Sequence, residues 1–245
     1  MTEMQIGREA FSRTAALLGE EAMQRLQQAR VAVFGVGGVG GYVCEALVRS
    51  GVGALDVFDK DDVSITNLNR QIIALHSTVG QDKVSVIAAR MRDINPDVII
   101  HEHKMFYLPE NADQVDLSRY DYVIDAIDTV SAKLELAVRC DRLGIPLISA
   151  MGAGNKLDPT KLVVTDINQT SVCRLARVMR QELRKRGIDH LKVCYSTEPA
   201  LAPLAEEAAE NAPGKRQTPG STAFVPSVMG LIIAGQVVRE LAGLE

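Results

Sequence analysis

Gly35-Val36-Gly37-Gly38-Val39-Gly40 carries the G-x-G-x-x-G spacing. Missing side chains let a backbone turn tightly and approach a phosphate at a helix N-terminus, where unpaired N–H groups favour an anion. Asp59 follows Gly40 by nineteen residues, where a carboxylate can accept hydrogen bonds from ribose hydroxyls. Asp61, Asp62, Asn67, Asn69, Arg70, Gln71 and Lys83 come next, more polar groups than hydride transfer to a dinucleotide requires. Charge handling explains them better. If a carboxylate attacks the α-phosphate of ATP, two anions must meet and pyrophosphate must leave, so fixed cations and usually a divalent metal are needed. Arg70 suits as a planar two-point grip and Lys83 as a point charge. Asp128, on a loop after an apolar run, suits Mg2+, which takes one or two carboxylates plus phosphate oxygens.

These residues need a scaffold, and the hydrophobic pattern supplies one. Val31–Phe34, the glycine turn, a helix through about Ser50, and Leu55–Phe58 ending at Asp59 form a βαβ rhythm. Further strands are expected at 98–101, 122–126, 146–150 and 162–166, and helices at 83–94 and 132–143, the latter stopped by Gly144. Alternation of this kind predicts an α/β fold with a Rossmann-like, doubly wound, mostly parallel sheet. One amphipathic helix is expected before it, with Phe11, Ala15, Leu18, Ala22 and Leu26 on one face. After it come a basic helix within 174–192, a loop-like stretch over 199–220 and an apolar helix over 226–241. The expected organisation is an N-terminal helical segment over 1–30, a nucleotide-binding core over 31–165, and a C-terminal extension over 166–245.

With 245 residues, 47% hydrophobic and 24% charged, the chain reads as globular. The apolar runs look too short to cross a membrane, and no basic-then-apolar leader opens the sequence. A cytoplasmic protein is expected. The net charge of −4 excludes a global basic field, although seven Arg/Lys in 174–192 face only Glu182 and Asp189. Cys44, Cys140, Cys173 and Cys194 form no C-x-x-C pair, against a disulfide framework or a four-thiolate zinc site. Four histidines, His76, His101, His103 and His190, show no metal-ligand spacing.

The strings G-V-G-G-V-G, D-K-D-D-V-S-I-T-N-L-N-R-Q, V-G-Q-D-K-V and D-A-I-D-T together resemble the ubiquitin-activating-type adenylating superfamily of ThiF, MoeB and HesA, over about residues 8–155. The resemblance implies ATP over Gly35, Gly37, Gly38 and Gly40, ribose at Asp59, phosphates at Asn67, Arg70 and Lys83, and metal at Asp128. It also implies a homodimer in which Arg13, in a short F-S-R motif, reaches the partner's phosphates. Residues 148–167 and 193–198 resemble the branch of that superfamily that dehydrates threonylcarbamoyladenosine beside the tRNA anticodon. The alternative branch adenylates the C-terminal glycine of a ubiquitin-like sulfur carrier and usually carries the zinc pairs this chain lacks. A sulfur-carrier or cysteine-desulfurase partner stays open on that reading. A tRNA substrate would give the basic run a role in phosphate contacts, through Arg177, Arg180 and Arg184. Cys194 reads either as a reactive thiol near the pocket or as a small buried residue beside Tyr195; burial preference favours the second.

Overall fold

The structure is a computed structural model that describes residues 9–202 and 219–244. Two short helices lead in, α1 (Ser12–Leu18) and α2 (Glu20–Gln28). The single helix expected here is broken at Gly19, whose φ of 87° is left-handed and ends the first helix. The core follows as β1 (Arg30–Phe34), α3 (Gly40–Arg49), β2 (Ala54–Phe58), α4 (Lys83–Ile94), β3 (Ile99–His103), β4 (Tyr122–Asp125), α5 (Val130–Leu143) and β5 (Leu147–Ala150). It continues with β6 (Leu162–Asp166), α6 (Arg174–Arg184), β7 (Lys192–Ser196) and α7 (Phe224–Ala242). The basic helix stops at Arg184, earlier than its charge run, and Gly187 turns the chain at φ 75°. Most of the 199–220 stretch read as a loop, residues 203–218, lies outside the described residues.

The seven strands among the described residues join one sheet in the order β3-β2-β1-β4-β5-β7-β6, parallel except for β6 on β7. Alternation along β1, β2 and β4 separates two of the three core clusters, the third lying around α6. Val31, Val33, Leu55, Val57 and Ile124 face one side with α3, α4 and α7. Ala32, Phe34, Phe58 and Val123 face the other, against Tyr107, Tyr120 and α5. On that second side Phe34 stacks on Phe58 at 4.2 Å, and Phe58 on His103 at 4.2 Å.

Among the described residues one helix, α7, is long and apolar enough to cross a membrane by length and composition, contrary to the expectation that the apolar runs are too short. It serves as a packing helix: Val225, Met229, Ile233, Ala234 and Val237 belong to the core. A Cβ at Gly230 would lie 2.4 Å from the Val39 carbonyl oxygen, so α7 is seated directly on the start of α3.

Candidate nucleotide site

In the strand order, β1 lies between β2 and β4, so successive crossovers leave β1 in opposite directions. The C-terminal edge at such a switch point is where open α/β sheets take ligands. A cavity of about 620 Å³ opens there.

The glycines divide the work. Gly35 has φ 90°, and a Cβ on it would strike the Ala126 carbonyl at 2.7 Å; a Cβ on Gly40 would strike the Gly35 carbonyl at 1.8 Å. These two are required by the close approach of β1, α3 and the turn after β4. Gly37 is different. Its added Cβ would meet only the Gln71 amide at 3.8 Å, and Gly37 and Gly38 wall the cavity. Gly40 does not line it; it shapes the turn that does.

Asp59, just past β2, accepts Val36 N–H on Oδ2 at 2.8 Å and Asp61 N–H on Oδ1 at 2.9 Å. The carboxylate is therefore locked to the glycine loop before any ligand arrives. The chain then runs out and folds back, with Val63 N–H on Gln81 O at 2.8 Å and Lys83 N–H on Asp61 O at 3.1 Å. Within this excursion Ser64 and Asn67 cap each other, Ser64 N–H donating to Asn67 Oδ1 at 3.0 Å. The amide group Asn67 retains for a ligand is thus the Nδ2 donor. Arg70 Nη1 donates to Thr66 O at 2.9 Å and Asn69 Oδ1 at 2.8 Å. Lys83, the first residue of α4 and only 6% exposed, holds Asp61 Oδ2 at 3.3 Å. Asp128 sits in the turn after β4.

Asp59, Asn67, Arg70, Lys83 and Asp128 all line the one cavity. Arg13 does not: it is exposed on α1. Arg177 is exposed on α6, while Arg184 donates to Asn168 Oδ1 at 2.9 Å. Arg180 turns inward, donating to Ile167 O at 3.0 Å and Thr170 Oγ1 at 2.6 Å. Its guanidinium is committed to closing the turn before α6. Sequence reasoning missed Lys60, whose ammonium lies 4.0 Å from the Phe106 ring centroid at the cavity wall. It also gave no role to Gln71, whose buried Oε1 has no partner among the described residues and borders the cavity. Cys194 is fully buried, and burial pushes its thiol up to about 12.

Among the described residues no group of three or more His, Cys, Asp or Glu side chains is placed to hold a metal unaided. Of the carboxylates that line the cavity, Asp59 already accepts two backbone N–H groups and Asp61 holds Lys83, whereas Asp128 Oδ1 accepts only a long 3.3 Å bond from the Thr129 hydroxyl. That donor set fits magnesium, which is held chiefly by phosphate oxygens and water.

A glycine-walled cavity that gathers Lys60, Arg70 and Lys83 with the carboxylate of Asp128 defines a nucleotide-binding α/β protein, and the ThiF family model matches residues 11–245. The chain belongs to the ThiF family. It is similar to the tRNA threonylcarbamoyladenosine dehydratase of Bacillus subtilis (strain 168), 47% identical over 238 residues that cover 94% of each chain. Two crystal structures of E. coli tRNA N6-threonylcarbamoyladenosine dehydratase, TcdA, one with AMP and one with ATP, superpose with TM-scores of 0.87 and 0.85. Both are 36% identical and cover 97% of this chain and 95% of the other.

Proposed function

We propose that this chain is an ATP-dependent tRNA threonylcarbamoyladenosine dehydratase. Its substrate is the threonyl carboxylate of the modified adenosine beside the anticodon. That carboxylate attacks the α-phosphorus of ATP, the bond to the β-phosphate oxygen breaks, and acyl-adenylate and pyrophosphate form. The neighbouring carbamoyl group then closes onto the activated carbonyl, AMP leaves, and the net change is loss of one water. Ring closure is intramolecular, so positioning alone supplies much of the rate.

The observation that carries this reading is the convergence of Arg70, Lys83 and Asp128 on one cavity at the switch point. In the proposed roles, Asp59 orients the ribose, Gly37 and Gly38 admit the phosphates, and Asn67 Nδ2 donates to them. Arg70 exchanges its contacts with Thr66 and Asn69 for phosphate oxygens, and Lys83 neutralises the departing pyrophosphate. Asp128 would hold magnesium, which when bound polarises the phosphate oxygens. Arg13, exposed and outside its own cavity, is free to complete the partner's site in a homodimer. Arg177 is the α6 cation best placed for tRNA phosphate, since Arg180 is engaged internally.

The test is incubation with ATP, magnesium and threonylcarbamoylated tRNA followed by nucleoside mass analysis. Loss of one water with AMP release is expected. Unchanged nucleoside together with ATP–pyrophosphate exchange dependent on a Gly-Gly-tailed carrier protein would move the assignment to sulfur-carrier activation.

A further inference from the structure

Directly beneath the cavity lies a buried charge pair that the nucleotide motifs do not include. Lys133 Nζ, in the first turn of α5, donates to Asp125 Oδ2 at 2.9 Å, Ala150 O at 2.7 Å and Ser149 Oγ at 3.3 Å. Ser149 in turn donates its hydroxyl to Asp125 Oδ2. The side chains of Lys133 and Asp125 are both 0% exposed. An ammonium has three protons, and here each has a partner.

Such a pair is a poor way to gain stability, because desolvating two ions costs several kcal/mol each and apolar replacements are often equally stable or better. Its geometry suggests another use. The second oxygen of Asp125 accepts Ile127 N–H at 3.1 Å, Lys133 N–H donates to Thr129 O at 3.1 Å, and Ala126 N–H donates to Phe34 O at 2.8 Å. Thus the Lys133 ammonium, through Asp125, holds the start of the Ala126–Thr129 turn, and the main-chain N–H of the same residue closes its end; this segment carries Asp128 and walls the cavity. This turn also abuts the glycine loop at Gly35.

We infer that Lys133 is a positioning residue for the adenylation step: through Asp125 and Ser149 it fixes the Ala126–Thr129 turn so that Asp128 faces Arg70 and Lys83. This rests on the assignment of Asp128 given above. Neither Lys133 nor Asp125 lines the cavity.

The decisive variant is Asp125→Leu combined with Lys133→Met, which removes both charges and the acceptor for Ile127 together. It should fold, with a thermal midpoint within roughly 5 °C of the parent. Amide exchange over 126–130, measured without nucleotide or metal, should quicken by about tenfold as the turn opens locally. AMP affinity without magnesium should stay within about threefold, whereas kcat for AMP formation should fall by at least about tenfold. Parent-like exchange and kcat in the folded variant would overturn the inference, as would parallel loss of AMP binding and kcat. If the double variant does not fold, Ser149→Ala decides, since it keeps the ion pair but removes one donor to Asp125. It should show the same signature at about threefold, and parent-like exchange and kcat there would equally defeat the idea. A parent that releases no AMP from ATP would overturn the preceding functional assignment instead, while amide exchange would still judge whether the pair holds the turn.

Discussion

Asn155 and Gly220 exchange two hydrogen bonds: Asn155 N–H to Gly220 O at 2.8 Å and Gly220 N–H to Asn155 Oδ1 at 2.7 Å. Asn155 also receives Leu201 N–H at 2.9 Å, and it does so at a left-handed φ of 57°. It therefore fastens to one point the two residues on either side of the 202–219 stretch, next to Pro219 and Ser221 on the cavity wall. Asn155→Gly keeps the backbone conformation and loses only the side-chain acceptor, so it should cost about 1 kcal/mol. Asn155→Val adds a left-handed β-branched residue, for about 2–3 kcal/mol in all. Urea unfolding should rank them in that order, and KM for ATP should rise in the same order. A valine variant as stable as the glycine variant would show that the turn relaxes at no cost.

The glycine loop gives a contrast of the same kind. Gly40→Ala drives a methyl into the Gly35 carbonyl, at 1.8 Å before relaxation, and should leave little folded protein in the soluble fraction. Gly37→Ala has room, and should change stability by less than about 1 kcal/mol while crowding the phosphate path. Isothermal titration with ATP should then show weaker binding by the folded Gly37→Ala protein. Unaltered ATP affinity would mean that phosphates do not pass Gly37.

The glycine spacing, Asp59, and the polar string to Lys83 were legible because each belongs to a local unit, strand to turn to helix, whose geometry follows from consecutive residues. Arg70, Lys83 and Asp128 could be brought together only by adding the βαβ topology, which fixes where strand ends meet. Arg180 reads as a phosphate contact because charge on a helix reads as solvated, and nothing local shows that Ile167 and Thr170 present carbonyls to it. Lys133 was invisible for the same reason: Ser149 and Ala150, which hold it, arrive on a different strand. The strand β7 was not read as such, since four buried residues after a basic run carry no alternating pattern.

A second buried carboxylate, Asp56, contributes to the acid response of the fold. Burial tends to raise the pKa of Asp56, but the bidentate Arg30 at 2.8 and 2.9 Å, with His103 at 2.9 Å and Tyr120 at 3.1 Å, outweighs it and holds the carboxyl below its usual 3.8. A depressed folded-state pKa stabilises above the unfolded value and is lost as pH falls through the folded one. Asp56→Asn should therefore cost on the order of 2 kcal/mol at pH 7 yet flatten the fall in thermal midpoint below about pH 5. Parallel midpoint curves for parent and variant down to low pH would place the acid response elsewhere.

Thiol chemistry separates the two adenylating readings. Cys44, Cys140 and Cys194 are buried, with burial the main cause raising each thiol to about 12, whereas Cys173 is half-buried at the start of α6. Ellman titration of native protein should count one thiol, and denatured protein all four. Cys194→Ala removes a small buried group at about 1 kcal/mol and should leave dehydration of modified tRNA intact. Abolished turnover in a folded Cys194→Ala protein would favour a covalent sulfur intermediate.

The basic helix makes the last prediction, because two of its arginines should fail in opposite ways. Arg180 caps carbonyls of the 167–170 turn, so Arg180→Ala leaves several acceptors unmet and should lower stability by about 1–3 kcal/mol. Any loss of tRNA affinity it causes should track unfolding and disappear at lower temperature. Arg177 is exposed, so Arg177→Ala should leave the thermal midpoint within about 1 °C. If it contacts a phosphate, the variant should bind tRNA more weakly at low salt, and the slope of log affinity against log salt should shrink by about one. Filter binding across a salt series measures both terms. An unchanged slope for Arg177→Ala would remove Arg177 from the tRNA surface and shift attention to Arg184 and to the cavity rim, with Lys60 and Arg70.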